Sequence, residues 1–202
     1  MIHDQDLVDR LAILPTERFE GDVFRATRVD ADPTAPSISG GRWAPPPDDA
    51  SGIFVLYTSL ERDGAMAEVV SFLTDLTPVP SPRPVKVSRL RVSTARTLRL
   101  AHANLLTFGV DYPRYGDRDY GRTQQIGESL AFLGLDGLIA PSARWPCDNL
   151  MIFTDNHAPT ERMDTIDAEE IEWQGWAREY GRFHPRVSTA IPQLSPRRGP
   201  RR

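Results

Sequence analysis

The stretch IFVLYTSLERDGAMAEVVSFLTDL, residues 53–76, decides the fold class. Its first seven residues, 53–59, form a continuous apolar run, the pattern of a strand covered on both faces. Thr58 and Glu61 stand at capping-box spacing, so the chain is expected to turn directly into a helix that runs to about Leu76. On a helical wheel Ala65, Val69, Phe72, Leu73 and Leu76 gather on one side, and Glu68 sits at the margin of that stripe. Strand and helix in one short segment mark a protein of mixed helix and sheet.

Working outward, DVFRATRV (22–29) reads as a strand, preceded by a lead-in (1–21) with a short helix around Leu7–Leu14 closed by Pro15. DADPTAPSISGGRWAPPPDDASG (30–52) is crowded with Pro, Gly, Asp and Ser, a long loop of the kind that is usually functional or disordered. After a proline break at 78–84, VKVSRLRV (85–92) alternates as a strand. DYGRTQQIGESLAFLG (119–134) reads as a helix with Ile126, Leu130 and Leu133 inward and Gly134 as its stop. DGLIAP (136–141) and NLMIFT (149–154) read as short strands separated by SARWPCD. AEEIEWQGWAREYGR (168–182) reads as a last helix whose Trp173, Trp176 and Tyr180 suit core packing. Segment 93–118 shows no clear period. The expected organisation is a lead-in (1–21), one domain (22–184) and a flexible Pro/Arg-rich tail (185–202).

The 202 residues carry 24 basic and 28 acidic side chains, a formal −4 that becomes −8 when Arg197, Arg198, Arg201 and Arg202 are set aside. An acidic body argues against direct nucleic-acid binding by the folded part. No apolar run approaches the roughly 20 residues that cross a bilayer, so no membrane association is expected. The single cysteine, Cys147, excludes an internal disulfide and fits a reducing cytoplasm. The histidines, His3, His102, His157 and His184, are scattered without metal-ligand spacing, so no metal is expected. Phosphate-loop, dinucleotide-fold, nucleophile-elbow and zinc-protease motifs are all absent. Cys147 has no evident histidine partner and reads as a half-buried thiol rather than a nucleophile.

What remains is a set of polar residues at the ends of apolar strands: Arg25, Gly40-Gly41-Arg42-Trp43, Tyr57-Thr58-Ser59, Glu68 and Ser142. Singly, each has a plain structural explanation: Arg25 as an edge-strand charge, Glu68 as a solvated helix flank, Ser142 as a turn residue. Jointly they sit where ligands collect in folds of helix and sheet.

The blocks FRAT (24–27), GGRW (40–43), VLYTS (55–59), AMAE (65–68), DGLIAPSAR (136–144) and NLMIF (149–153) resemble, in order, those of the RES domain family. That family is named for an arginine, a glutamate and a serine, which here are Arg25, Glu68 and Ser142. The resemblance implies a single α+β domain with a small mixed or antiparallel sheet flanked by helices, similar to ADP-ribosyltransferases. It implies a bacterial toxin that degrades NAD+ at the nicotinamide–ribose bond, as a glycohydrolase or a phosphorylase. NAD+ is then the substrate and no cofactor is needed. The implied partner is an antitoxin with a helix-turn-helix domain; a homo-oligomer is a further expectation. Arg25, Tyr57, Glu68 and Ser142 are the expected catalytic set, with Gly41, Arg42, Trp43, Thr58 and Ser59 binding substrate. Arginine suits the diphosphate and a partly desolvated Glu68 suits the developing cation at ribose C1′. Trp43 suits either stacking on a ring or packing under the loop. Two other readings use the same pocket: an ADP-ribosyltransferase acting on a macromolecule, and a nucleotide-binding module without turnover.

Overall fold

The computed structural model describes residues 4–47 and 52–180. The Pro/Arg-rich tail expected at 185–202 lies outside the described residues. The chain runs α1 (Gln5–Ala12), β1 (Thr16–Thr27), β2 (Val55–Ser59), α2 (Arg62–Asp75), β3 (Pro84–Arg99), α3 (His102–Thr107), a 3₁₀ turn (Tyr112–Arg114), α4 (Gly121–Phe132), β4 (Gly137–Pro141), β5 (Asp148–Phe153), β6 (Met163–Glu172) and α5 (Trp173–Glu179).

The sheet has the order β1-β2-β5-β4-β3-β6, and β1 also pairs with β3. Five strands therefore form a ring, with β6 added on the first half of β3. All pairings are antiparallel except β3–β4, where Thr97–Arg99 run alongside Gly137–Ile139. The sheet is mixed, as expected. The ring is weakest between β1 and β2, which pair at Phe24–Ser59 alone.

Strand β2 shows why an unbroken apolar run needs cover on both sides. Leu56 joins Val23, Leu90, Val92, Ile139, Leu150 and Ile152, drawn from all five ring strands, in one cluster. Its neighbour Val55 faces the other way, into a cluster built with α1, α3 and α4 through Leu7, Leu11, Leu105, Ile126 and Leu130. A third cluster seats Met66, Ala67 and Val70 of α2 and Trp173, Trp176 and Ala177 of α5 against Val85 and Val87. Trp173 and Trp176 are thus core residues as expected, while Tyr180 is 39% exposed.

Several local expectations are corrected. The face of α2 that packs inward is Gly64, Ala65, Met66, Ala67 and Val70, whereas Phe72 and Leu76 are 51% and 36% exposed. The helix is apolar around much of its circumference, and its small residues permit the closer approach to the sheet. No capping box forms: Thr58 Oγ1 donates to the Leu150 carbonyl, and the Glu61 side chain caps nothing. Residues 168–172 are strand rather than helix. The free edge of β3 offers ladder bonds that outweigh the helix preference of Ala and Glu, and α5 starts only where Glu172 caps Gln174 and Gly175.

The boundary drawn at residue 22 falls inside β1, and the short helix expected near Leu7–Leu14 is α1. The unread segment 93–118 holds the end of β3, α3 and the 3₁₀ turn. At the β3 bend, the buried carboxylate of Asp136 accepts from the main-chain N–H of Ala95 (2.7 Å) and Arg96 (2.8 Å), a non-local cap with no sequence signature. Helix α4 and its closing Gly134, at φ +74°, match the expectation.

Candidate active site

Beyond the single Phe24–Ser59 pair, β1 and β2 separate, and a cleft of about 360 Å³ lies there. Its lining includes Arg25 from β1, Tyr57 from β2, Glu68 from α2, Gly41 and Arg42 from the long loop, and Asn149 from β5. Two side chains separated by more than forty positions, Arg25 and Glu68, thus face one cavity.

Glu68 is held rather than solvated. Ser142 Oγ donates to its Oε1 at 2.7 Å, and Asn149 Nδ2 donates to the same oxygen at 2.9 Å. Among the described residues no donor engages Oε2, which is left for a ligand. Ser142 Oγ in turn accepts from the main-chain N–H of Arg144 (3.1 Å) and Trp145 (3.2 Å). Its lone pairs and its proton are all committed, so Ser142 positions Glu68 and does not act as a nucleophile. Asn149 had no role in the sequence reading; it is simply the first residue of the NLMIF block.

Arg25 is neither an edge charge nor free. Its Nη1 donates to the carbonyls of Pro33 (2.9 Å) and Ala35, bracing the long loop against β1. Burial pulls its guanidinium below the usual value, with Asp32 opposing, yet an arginine stays charged. Arg25 lines the same cleft as Glu68.

Tyr57 supplies a half-buried ring whose hydroxyl accepts from the Trp43 N–H at 3.2 Å. Burial pushes its phenol well above the ordinary range, against a smaller pull from the Trp43 and Ala44 main chain. It is protonated at neutral pH and its proton is available for donation. Gly41 is required by packing: a Cβ there would stand 2.7 Å from the Tyr57 ring. The close approach expected toward a ligand is therefore first an approach to Tyr57.

Arg42 stacks over Tyr115 (4.5 Å) and Tyr120 (4.8 Å). Trp43, 2% exposed, packs in the core under the loop, as the second of its two readings has it, and also borders the cleft. Thr58 and Ser59 border the cleft, but their hydroxyls are turned to the Leu150 carbonyl and to Cys147 Sγ (3.3 Å). Neither offers a substrate contact through its hydroxyl. Tyr115, Arg118, Tyr120 and Arg144 also line the cleft; three of these lie in or beside a segment with no readable period.

Cys147 is half-buried, and burial raises its thiol above the usual value despite the Ser59 contact. A raised pKa leaves less thiolate at neutral pH, so alkylation by iodoacetamide at pH 7.5 is expected to be much slower in the native protein than in urea. Equal labelling rates in both states would contradict this. Among the described residues no group of three or more His, Cys, Asp or Glu is placed to hold a metal ion, and no helix is long and apolar enough to cross a membrane.

The chain belongs to the RES domain family, whose model matches residues 18–174. Among solved structures it is similar to a chain of the crystal structure of the M. tuberculosis MbcT–MbcA toxin–antitoxin complex, with a TM-score of 0.72 at 17% identity, covering 87% of this chain and 97% of that one. At that identity the likeness is one of fold. A search of curated proteins gave no match.

Proposed function

We propose that the protein consumes NAD+, breaking the bond between nicotinamide N1 and ribose C1′ with water or inorganic phosphate as acceptor. The observation that carries this reading is the clamped Glu68 carboxylate, with one oxygen fixed by Ser142 and Asn149 and the other uncommitted, in the same cleft as Arg25. As the bond breaks, its electron pair leaves with neutral nicotinamide and positive charge develops on the ribose. A fixed anion beside that charge stabilises the transition state without having to reorganise, an effect worth about 3–4 kcal/mol per group. The acceptor oxygen then bonds to C1′ and its proton passes to solvent. Arg25 and Arg42 pair with the diphosphate, and Tyr57 offers a ring face and a hydroxyl proton to the nicotinamide ribose.

The similarity to a chain of a toxin–antitoxin complex and the family membership support a toxin with a cognate antitoxin. In this reading the antitoxin carries a helix-turn-helix domain, covers the cleft and spares the cytoplasmic NAD+ pool. The test incubates the full chain with NAD+ labelled in the ADP-ribose half, in phosphate-free buffer, with added phosphate and with a cell extract. ADP-ribose or its 1″-phosphate as the main product supports the proposal. Label attached to protein or nucleic acid would instead make the protein an ADP-ribosyltransferase.

A further inference from the structure

Four arginines line the cleft, and their charges are used differently. Arg25 braces two loop carbonyls. Arg118, an exposed residue, is paired with Asp75 at 2.6 Å. Arg42 stacks on Tyr115 and Tyr120 and makes only a long 3.4 Å bond to the Asp117 carbonyl. Arg144 is half-buried, and among the described residues its guanidinium has no hydrogen bond or ion pair. Its main chain is tied through Ser142 to Glu68, and its Nη1 lies 3.8 Å from where a Cβ on Gly116 would stand. Arg42 and Arg144 therefore both reach the wall formed by residues 115–120, with no carboxylate neutralising either. Two guanidinium groups that reach one wall of a cleft without a carboxylate partner make that wall electropositive, which favours an anion there.

We infer that Arg144, together with Arg42, forms an oxyanion subsite that takes a phosphate group. The planar guanidinium of Arg144 is suited to two parallel N–H···O bonds with such a group. The inference deepens the NAD+ reading. The same chemistry has two sources, the diphosphate of the dinucleotide and free inorganic phosphate acting as acceptor, and either would be held in the cleft that Glu68 also lines.

The experiment titrates the full chain calorimetrically with inorganic pyrophosphate and with orthophosphate, for the wild type, Arg144→Gln and Arg144→Lys. Arg144→Gln is expected to weaken anion binding about 10- to 100-fold, with part regained in Arg144→Lys. Kinetics separate the sources. A rise in KM for NAD+ in phosphate-free buffer, absent with nicotinamide riboside, assigns the diphosphate. A rise in the phosphate concentration needed for half-maximal rate, at unchanged KM for NAD+, assigns the acceptor. Unchanged binding and kinetics in a folded Arg144→Gln protein would overturn the inference, as would wild-type protein that binds neither anion, which needs no variant to fold. Anion binding that depends on Arg144 without NAD+ consumption would overturn the NAD+ reading and sustain the subsite.

Discussion

Replacing Glu68 with glutamine is expected to slow NAD+ cleavage by about 10²–10³-fold while the protein melts as the wild type does. Glutamine keeps the length of the side chain and a carbonyl oxygen at the Oε1 position, where Ser142 and Asn149 donate. What it removes is the negative charge. The two clamps make the charge effective, because a carboxylate already held in place loses no freedom when the ribose becomes cationic. Nicotinamide release at saturating NAD+, set beside a thermal melt, reads the two effects separately. An undiminished rate in the folded variant would remove Glu68 from the chemistry.

The largest expected effect on stability comes from a residue with no ligand in reach. Gly127 lies on α4 directly under the long loop, and a Cβ there would stand 1.8 Å from the Trp43 carbonyl oxygen and 2.8 Å from its carbonyl carbon. Both are backbone atoms, so the contact has no flexible side chain to yield. Gly127→Ala is expected to cost about 1–3 kcal/mol, a melting temperature lower by roughly 2–12 °C. The displacement also reaches the site, because the Trp43 N–H donates to the Tyr57 hydroxyl and Gly41 packs on the Tyr57 ring. A raised KM should therefore accompany the lower melt. Gly121→Ala is the control on the same helix, since its nearest neighbour to a Cβ is 4.0 Å away. Equal melts for the two variants would show that the loop does not rest on α4 at Gly127.

The sequence was most informative where one segment carries its own pattern. The apolar run of β2 declares a strand buried on both sides, and α4 carries its own period and stop. It was least informative where a distant partner decides. Residues 168–172 have helix formers yet complete the β3 edge. On α2 the wheel turns Ala65, Val69 and Leu73 toward the core, as the structure does, but misplaces Phe72 and Leu76, because Gly64 and Ala67 let the sheet and α5 come close on an adjacent face. In segment 93–118 the bend at Ala95 and Arg96 rests on the Asp136 cap some forty residues later.

The site divides in the same way. Arg25 and Glu68 share a cleft as their positions at strand and helix margins suggested. The use of each hydroxyl depended on neighbours remote in sequence. Ser142 steadies Glu68, Thr58 and Ser59 turn inward, and Trp43 is core. Asn149 and Arg144 had no signal beyond their place in the family blocks, because what marks them is geometric: a bond to Glu68 in one case, and an uncompensated charge facing a cavity in the other.

The most direct test of the central claim is the amount of free nicotinamide formed when the purified full chain is incubated with NAD+. One nicotinamide for every NAD+ lost is the result the clamped carboxylate predicts. NAD+ that stays intact in the presence of folded protein, with and without phosphate, would contradict it.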